Sequence, residues 1–276
     1  MKNILILGYS GALGSELTNS LANNSDLNCI HFSKLNIIDS KNINLLSNFI
    51  LEKNIHIVIN CIAFNGYDNC EINQSKANNI NAIFLDRILD KISNHIECFI
   101  HFSTEAVFNG SIENKLYDES DLPDPLTLYG QTKLNGEKIL LKFNNVLIFR
   151  LPLLFGPFHK KQIVYKLLNI VEDNKYVRVS KDVFSTPLYS PIISNFIIKI
   201  LTDNSFTELK GSNKIYHLTS NYYCSMFDLL KYLASKVNKE EFIIPELDCN
   251  FKKLVKKPKF LGLKSSNFTF DFSYNN

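Results

Sequence analysis

Tyr129 and Lys133 stand four apart in Leu126-Thr127-Leu128-Tyr129-Gly130-Gln131-Thr132-Lys133, so on a helix the phenol and the amine share a face. A lysine ammonium beside a phenol stabilises phenolate and lowers the tyrosine pKa from its usual value of about 10. Tyr129 then becomes a usable acid near neutrality. The spacing alone is not distinctive, because Tyr232 and Lys236 repeat it; that second pair falls on the outer face of an amphipathic helix expected over Met226 to Val237. The first pair differs in its neighbourhood. Cys98-Phe99-Ile100-His101-Phe102 reads as a strand that delivers Ser103, Thr104 and Glu105 to its carboxyl end, where open parallel sheets bind ligands. The Thr104 hydroxyl can hold a carbonyl beside the phenol, although a strand-end threonine also caps turns. Reduction of a ketone needs a hydride donor, a proton donor at the oxygen, and a group that fixes the carbonyl between them. Tyr129 and Thr104 fill two of these posts.

The third post requires a dinucleotide, and the chain opens with a place for one. Gly8-Tyr9-Ser10-Gly11-Ala12-Leu13-Gly14 follows a short apolar strand and precedes a helical pattern. Glycine serves three needs there: a tight turn, an open approach for a pyrophosphate, and close contact of helix with strand. The free amides at the helix start meet the negative charge. A glycine turn with no ligand has the same spacing. Cofactor preference is read after the second strand, where an acidic residue would bind the ribose hydroxyls of NAD. Here Ser33 and Lys34 follow Phe32. A hydroxyl and an ammonium suit a 2'-phosphate, so NADP(H) is expected ahead of NAD(H), while a solvated loop lysine accounts for the same residues.

The elements that must position these groups alternate along the first half of the chain. Strand-length apolar runs at Ile4 to Leu7, Cys29 to Phe32, Ile55 to Ile59 and Cys98 to Phe102 are separated by helical patterns at Leu13 to Leu21, Ile43 to Leu51 and Ala77 to Leu89. That order predicts an α/β fold, a Rossmann-type doubly wound parallel sheet, followed by a smaller C-terminal α/β lobe. The eight prolines all lie from Pro123 onward, so residues 1–155 are expected to form the cofactor domain and 156–276 the substrate lobe, with the chain free to cross between them. In the second part, helices are expected over Lys160 to Glu172 and Ile192 to Leu201, and strands over Tyr176 to Val179 and Ile215 to Leu218. His159, Lys160 and Lys161 at the start of the lobe suit a substrate diphosphate, and equally a solvated helix start.

Composition removes other classes. Among 276 residues the net charge is +3, with no basic tract, so neither nucleic acid nor an anionic membrane surface is an expected partner. The opening apolar run is too short for a signal peptide and no stretch reaches membrane-spanning length, which predicts a cytoplasmic protein. Six cysteines without a CxxC pair and six dispersed histidines predict neither disulfides nor a bound metal, and each lone histidine reads as structural.

The assembled motifs resemble the extended short-chain dehydrogenase/reductases, and within them the dTDP-4-dehydrorhamnose reductase family, over nearly the whole length. The glycine loop, the segment from Asn60-Cys61-Ile62-Ala63 through Tyr67-Asp68 to Glu71, Ser103-Thr104-Glu105-Ala106-Val107-Phe108, and Tyr129-Gly130-Gln131-Thr132-Lys133-Leu134-Asn135-Gly136-Glu137 carry the likeness, with later matches at Phe149-Arg150 through Phe155-Gly156-Pro157, Thr186-Pro187-Leu188-Tyr189, Tyr216-His217-Leu218 and Lys257-Pro258 through Leu263. The resemblance implies a catalytic triad of Thr104, Tyr129 and Lys133, with Lys133 also on the nicotinamide ribose. It implies Asn36 and Ile37 near the adenine, and Cys61, Ile62, Ala63 and Ser103 along the cofactor cleft. The implied substrate is a nucleotide-diphosphate 4-keto-6-deoxysugar, bound through Thr104, Glu105, Ala106 and Leu153 with His159 and Lys160 nearby, and the implied assembly is a homodimer. Ala106 and Leu153 replace family aromatics in the sugar pocket, so the sugar is expected to differ from 4-dehydrorhamnose. Glu105-Ala106 lacks the acid pair of the related dehydratases. The family also holds a non-catalytic NADP-binding regulatory subunit, and relatives include sugar-nucleotide epimerases; both are alternatives to a net reductase.

Overall fold

The computed structural model describes residues 1–22, 24–32, 39–156 and 162–270. The first half alternates as the patterns predict: β1 (Lys2–Leu7), α1 (Ala12–Ala22), β2 (Leu27–Ile30), α2 (Ser40–Glu52), β3 (Ile57–Asn60), α3 (Tyr67–Ile72), α4 (Gln74–Asn78), α5 (Phe84–Ile92), β4 (Cys98–Thr104), α6 (Leu128–Leu140) and β5 (Val146–Leu151). Then follow β6 (Leu154–Phe155), α7 (Ile163–Glu172), β7 (Val177–Ser180), β8 (Phe184–Ser185), β9 (Leu188–Tyr189), α8 (Ser190–Thr202), α9 (Phe206–Ser212), β10 (Ile215–His217), β11 (Thr219–Ser220), β12 (Cys224–Ser225), α10 (Met226–Ser235), β13 (Ile243–Glu246) and β14 (Thr269–Phe270).

Among the described residues, six strands form one parallel sheet in the order β10, β5, β4, β3, β1, β2. Its strands are apolar runs because both faces are covered. Alternation along β1 sends Ile4 and Ile6 to one face, against Leu13 and Leu17 of α1 and Ile193 and Ile197 of α8, while Leu5 and Leu7 meet Ile43 and Leu46 of α2 and Ile88 of α5 on the other. Residues from past position 155 therefore complete both an edge and a face of the large sheet. A second apolar cluster joins Val164 and Val171 of α7, Val177 and Val179 of β7, Leu229 and Leu230 of α10 and Ile243 of β13.

Beyond shifts at element ends, the structure adds β5, α3, α9 and several short strands of the second half that the patterns did not mark, and it breaks one expected helix. The helix expected over Ala77 to Leu89 is interrupted by a wide π turn at Asn79–Ile83. Asn81 causes the departure to be useful: its carboxamide accepts from Phe64 N–H (2.8 Å) and donates to the Phe64 carbonyl (3.1 Å) and to Thr132 Oγ1 (3.0 Å). It thereby ties the loop after β3 to α6. Among the described residues no helix is long and apolar enough to cross a membrane, and no group of His, Cys, Asp or Glu side chains is placed to hold a metal ion.

Candidate active site

Gly8 ends β1 with φ +79°, a conformation natural to glycine, and its carbonyl accepts from Gly11 N–H at 2.9 Å. A Cβ on Gly14 would lie 2.2 Å from the Gly8 carbonyl oxygen, so α1 could not rest so close to β1 with any side chain there. The first amides of α1 lack partners within the helix and open beside this turn. A Cβ at Gly11 would meet only the Gly8 oxygen, at 3.1 Å, which leaves a backbone-lined cradle of the kind a pyrophosphate needs. Ser33, Lys34, Asn36, Ile37, His159 and Lys160, together with Lys161, lie outside the described residues.

Helix α6 brings Tyr129 and Lys133 to the carboxyl ends of β3, β4 and β5. Its first turn is fixed by the Thr127 hydroxyl, which accepts from Gly130 N–H (3.3 Å), and by Glu71, which accepts from Leu128 N–H (3.0 Å). Gly130 permits the approach, since a Cβ there would lie 2.0 Å from the Ala106 carbonyl oxygen. At the other end Glu137 forms a buried pair with Arg150 of β5 (2.7 and 3.0 Å) and accepts from Ser103 Oγ (2.5 Å), which fixes the helix on the sheet. The duplicate pair on α10 is different: Lys236 is exposed, its amine 4.6 Å from the Tyr232 ring centroid.

A cleft of about 200 Å³ gathers Leu13, Cys61, Ile62, Ala63, Ser103, Thr104, Tyr129 and Lys133, all singled out in the sequence, with Asn65, Leu151 and Pro152, which were not. Burial pushes the Tyr129 phenol up to about 12, outweighing the lowering influence of the neighbouring Thr104 hydroxyl. The expected lowering by Lys133 is thus reversed. The reason is geometric: the Lys133 amine, 1% exposed, is engaged by the Phe102 carbonyl (2.7 Å) and by His101 Nε2 (3.0 Å) rather than by the phenol. Burial pulls Lys133 down to about 8, against the opposing influence of Glu137 and Cys61.

Next to this cleft lies a larger cavity of about 660 Å³. Glu105 and Leu153 line it as expected. Ala106 does not: it is packed with Val107, Phe108 and Leu134, because its carbonyl closes against Gly130. Tyr67, edge-on to Tyr129 with centroids 5.7 Å apart, and Ser185, Arg178, Lys252, Lys253 and Lys257 complete the wall. Ser185 donates to Glu105 at 2.7 Å, yet burial still drives that carboxyl up to about 8. Tyr67, within a segment that carries the family likeness, and Ser185 were given no role in the sequence, since each meets its partner from a distant part of the chain.

A doubly wound parallel sheet, a glycine turn at the end of its first strand and a threonine, tyrosine and lysine at the strand ends define a Rossmann-type protein of the extended short-chain dehydrogenase/reductase kind. Within that class the chain belongs to the family described as RmlD substrate binding domain, whose model matches residues 1–275. It is similar to a dTDP-4-dehydrorhamnose reductase of Aggregatibacter actinomycetemcomitans, 28% identical over 83% of this chain and 76% of that one. It is also similar to the methionine adenosyltransferase 2 subunit beta of Xenopus tropicalis, 26% identical over 86% and 72%. The fold matches a dTDP-4-dehydrorhamnose reductase of Bacillus anthracis solved in complex with NADP, with a TM-score of 0.85, 24% identity, and 96% and 91% of the two chains covered.

Proposed function

We propose that this protein is an NADP(H)-dependent reductase of a nucleotide-diphosphate 4-keto-6-deoxysugar, acting at the C4 carbonyl. The observation that carries the reading is the convergence of Thr104, Tyr129 and Lys133 in one cleft between the glycine cradle and a cavity large enough for a sugar nucleotide. The cradle at Gly8, Gly11 and Gly14 fits a dinucleotide pyrophosphate, and the NADP complex of the Bacillus anthracis protein supports the choice of cofactor. When bound, NADPH supplies the hydride for the carbonyl carbon.

The chain's own groups do the rest. Thr104 orients the carbonyl by a hydrogen bond. Tyr129, whose buried phenol keeps its proton through the neutral range, gives that proton from Oη to the carbonyl oxygen. Lys133 sits one helical turn on, beside the same cleft. Arg178, Lys252, Lys253 and Lys257 supply positive charge for the diphosphate. With Ala106 in the core, the shape of the sugar pocket falls to Leu153, Glu105 and Tyr67. Residues 1–155 then hold the cofactor, and the sugar nucleotide lies between the following lobe and the Tyr67, Glu105 and Leu153 wall of the first part.

The similarity to a methionine adenosyltransferase subunit favours a second reading, a regulatory subunit that binds dinucleotide without turnover. NADPH oxidation assayed with dTDP-4-dehydrorhamnose and other 4-keto sugar nucleotides separates the two. Turnover is expected, with Tyr129→Phe retaining NADPH affinity and losing about 10²–10⁴ in rate. Binding of NADPH without turnover of any 4-keto sugar nucleotide would overturn the proposal.

A further inference from the structure

Two buried polar side chains beneath the cleft take no part in the chemistry above. Asn60 and His101, each 1% exposed, are register partners on the adjacent parallel strands β3 and β4. The backbone N–H of Ile62 donates to Asn60 Oδ1 at 3.1 Å, which fixes the carboxamide and turns its Nδ2 toward His101 Nδ1 at 3.0 Å. A donor at Nδ1 makes that nitrogen the acceptor of a neutral imidazole, so the ring's single hydrogen resides on Nε2. Nε2 lies 3.0 Å from the Lys133 amine, which donates in turn to the Phe102 carbonyl at 2.7 Å. An Nε2–H aimed at that nitrogen requires a lone pair on it. The arrangement therefore matches Lys133 as a neutral amine.

For the reaction proposed above, we propose that His101, its tautomer set by Asn60, is a positioning residue whose Nε2–H caps the lone pair of the neutral Lys133 amine. The groups facing Lys133 are Glu137 and Tyr129 on its own helix, Cys61 after β3 and His101 on β4, with Arg150 of β5 held on Glu137. Of these, Glu137 and Cys61 favour the ammonium, whereas burial favours the amine; an Nε2–H on His101, 3.0 Å away, would add to burial. His101 itself is held well below the usual histidine range by burial, and further by Lys133 when that group is charged, so the ring is neutral and can donate from Nε2 once Lys133 is an amine.

The test uses cofactor-free enzyme with ¹⁵N-labelled histidine and ¹³C-labelled lysine. Long-range ¹H–¹⁵N spectra above the Lys133 titration, with His101 assigned by its loss in His101→Gln, are expected to show a protonated Nε2 and a bare Nδ1; the opposite tautomer would overturn the inference. In His101→Gln, whose carbonyl can face an ammonium, the Lys133 midpoint is expected to rise by about one pH unit, a tenfold gain in proton affinity. An unchanged midpoint would also overturn it. Asn60→Asp leaves the ring in place but draws its hydrogen to Nδ1, and is expected to raise the same midpoint. That rise should vanish in the His101→Gln background; if it persists, the new charge acts directly and the tautomer account fails. These readouts need no turnover, so a protein that proves not to be a reductase would fail the assay of the preceding section while leaving them intact.

Discussion

Glu105 shows how burial reshapes a single side chain. Its carboxyl is driven up to about 8 by burial although Ser185 donates to it, with the Leu153 amide, which donates to Ser185 Oγ, also acting to lower it. In the unfolded chain the same group titrates near 4.5. Between these values the folded protein holds a proton that the unfolded chain has released, so this group's contribution to stability is complete below about pH 4.5 and is lost as pH rises through about 8. Glu105→Gln keeps an acceptor for Ser185 but cannot ionise. Its melting temperature is expected to fall less than that of the natural protein as pH rises from 5 to 8, with an advantage on the order of a few kcal/mol at the alkaline end. Parallel melting curves measured across that range would refute the assignment. The sequence made Thr104, Tyr129, Lys133 and the glycine turn visible because their spacing is local and their elements are strongly patterned. His101 was read there as structural, since its partners, Asn60 on the next strand and Lys133 from α6, are joined to it only by pairing and packing.

Among the elements, α6 has the narrowest tolerance. It presents Tyr129 and Lys133 while lying against the turn after Thr104, and Gly130 makes that possible, with 2.0 Å between a hypothetical Cβ and the Ala106 oxygen. Gly130→Ala must displace either the helix or the turn, and is expected to cost about 1–3 kcal/mol in urea denaturation and to lower kcat more than it raises KM for NADPH. Gly211→Ala on α9 is the control: nothing lies within 4 Å of its added carbon, so it should be neutral or stabilising by up to about 1 kcal/mol. Equal losses in the two variants would show that helix content, not close approach, matters at Gly130. Periodicity located α1 well because it buries an apolar stripe, whereas α6, whose buried face carries Thr132, Lys133 and Glu137, was reached only through the spacing of Tyr129 and Lys133. Periodicity missed the π turn before α5, where Asn81 abandons regular pairing to serve Phe64 and Thr132.

At the scale of the whole molecule, the larger cavity is lined by four cations as well as by the buried Glu105, with Arg178 paired to Glu246 and Lys253 to Asp248. Lys257, half-buried and 5.7 Å from the Tyr67 ring centroid, stands nearest the site's aromatic pair. Lys257→Ala is expected to raise KM for the sugar nucleotide about tenfold, leave KM for NADPH unchanged, and weaken the salt dependence of substrate binding. Equal changes in both constants would argue for a general disturbance instead. The chain pattern also indicated a boundary near residue 155, and the topology adds what no local pattern could show. Strand β10 pairs with β5 at the sheet edge, and Ile193 and Ile197 of α8 cover the face shared with α1. During synthesis, then, the nascent sheet must wait for some sixty further residues before its last edge and one of its faces are shielded. A fragment ending at residue 155 would leave β5 as an open template for intermolecular strand pairing and should partition into the pelleted fraction, whereas the full chain stays in the supernatant.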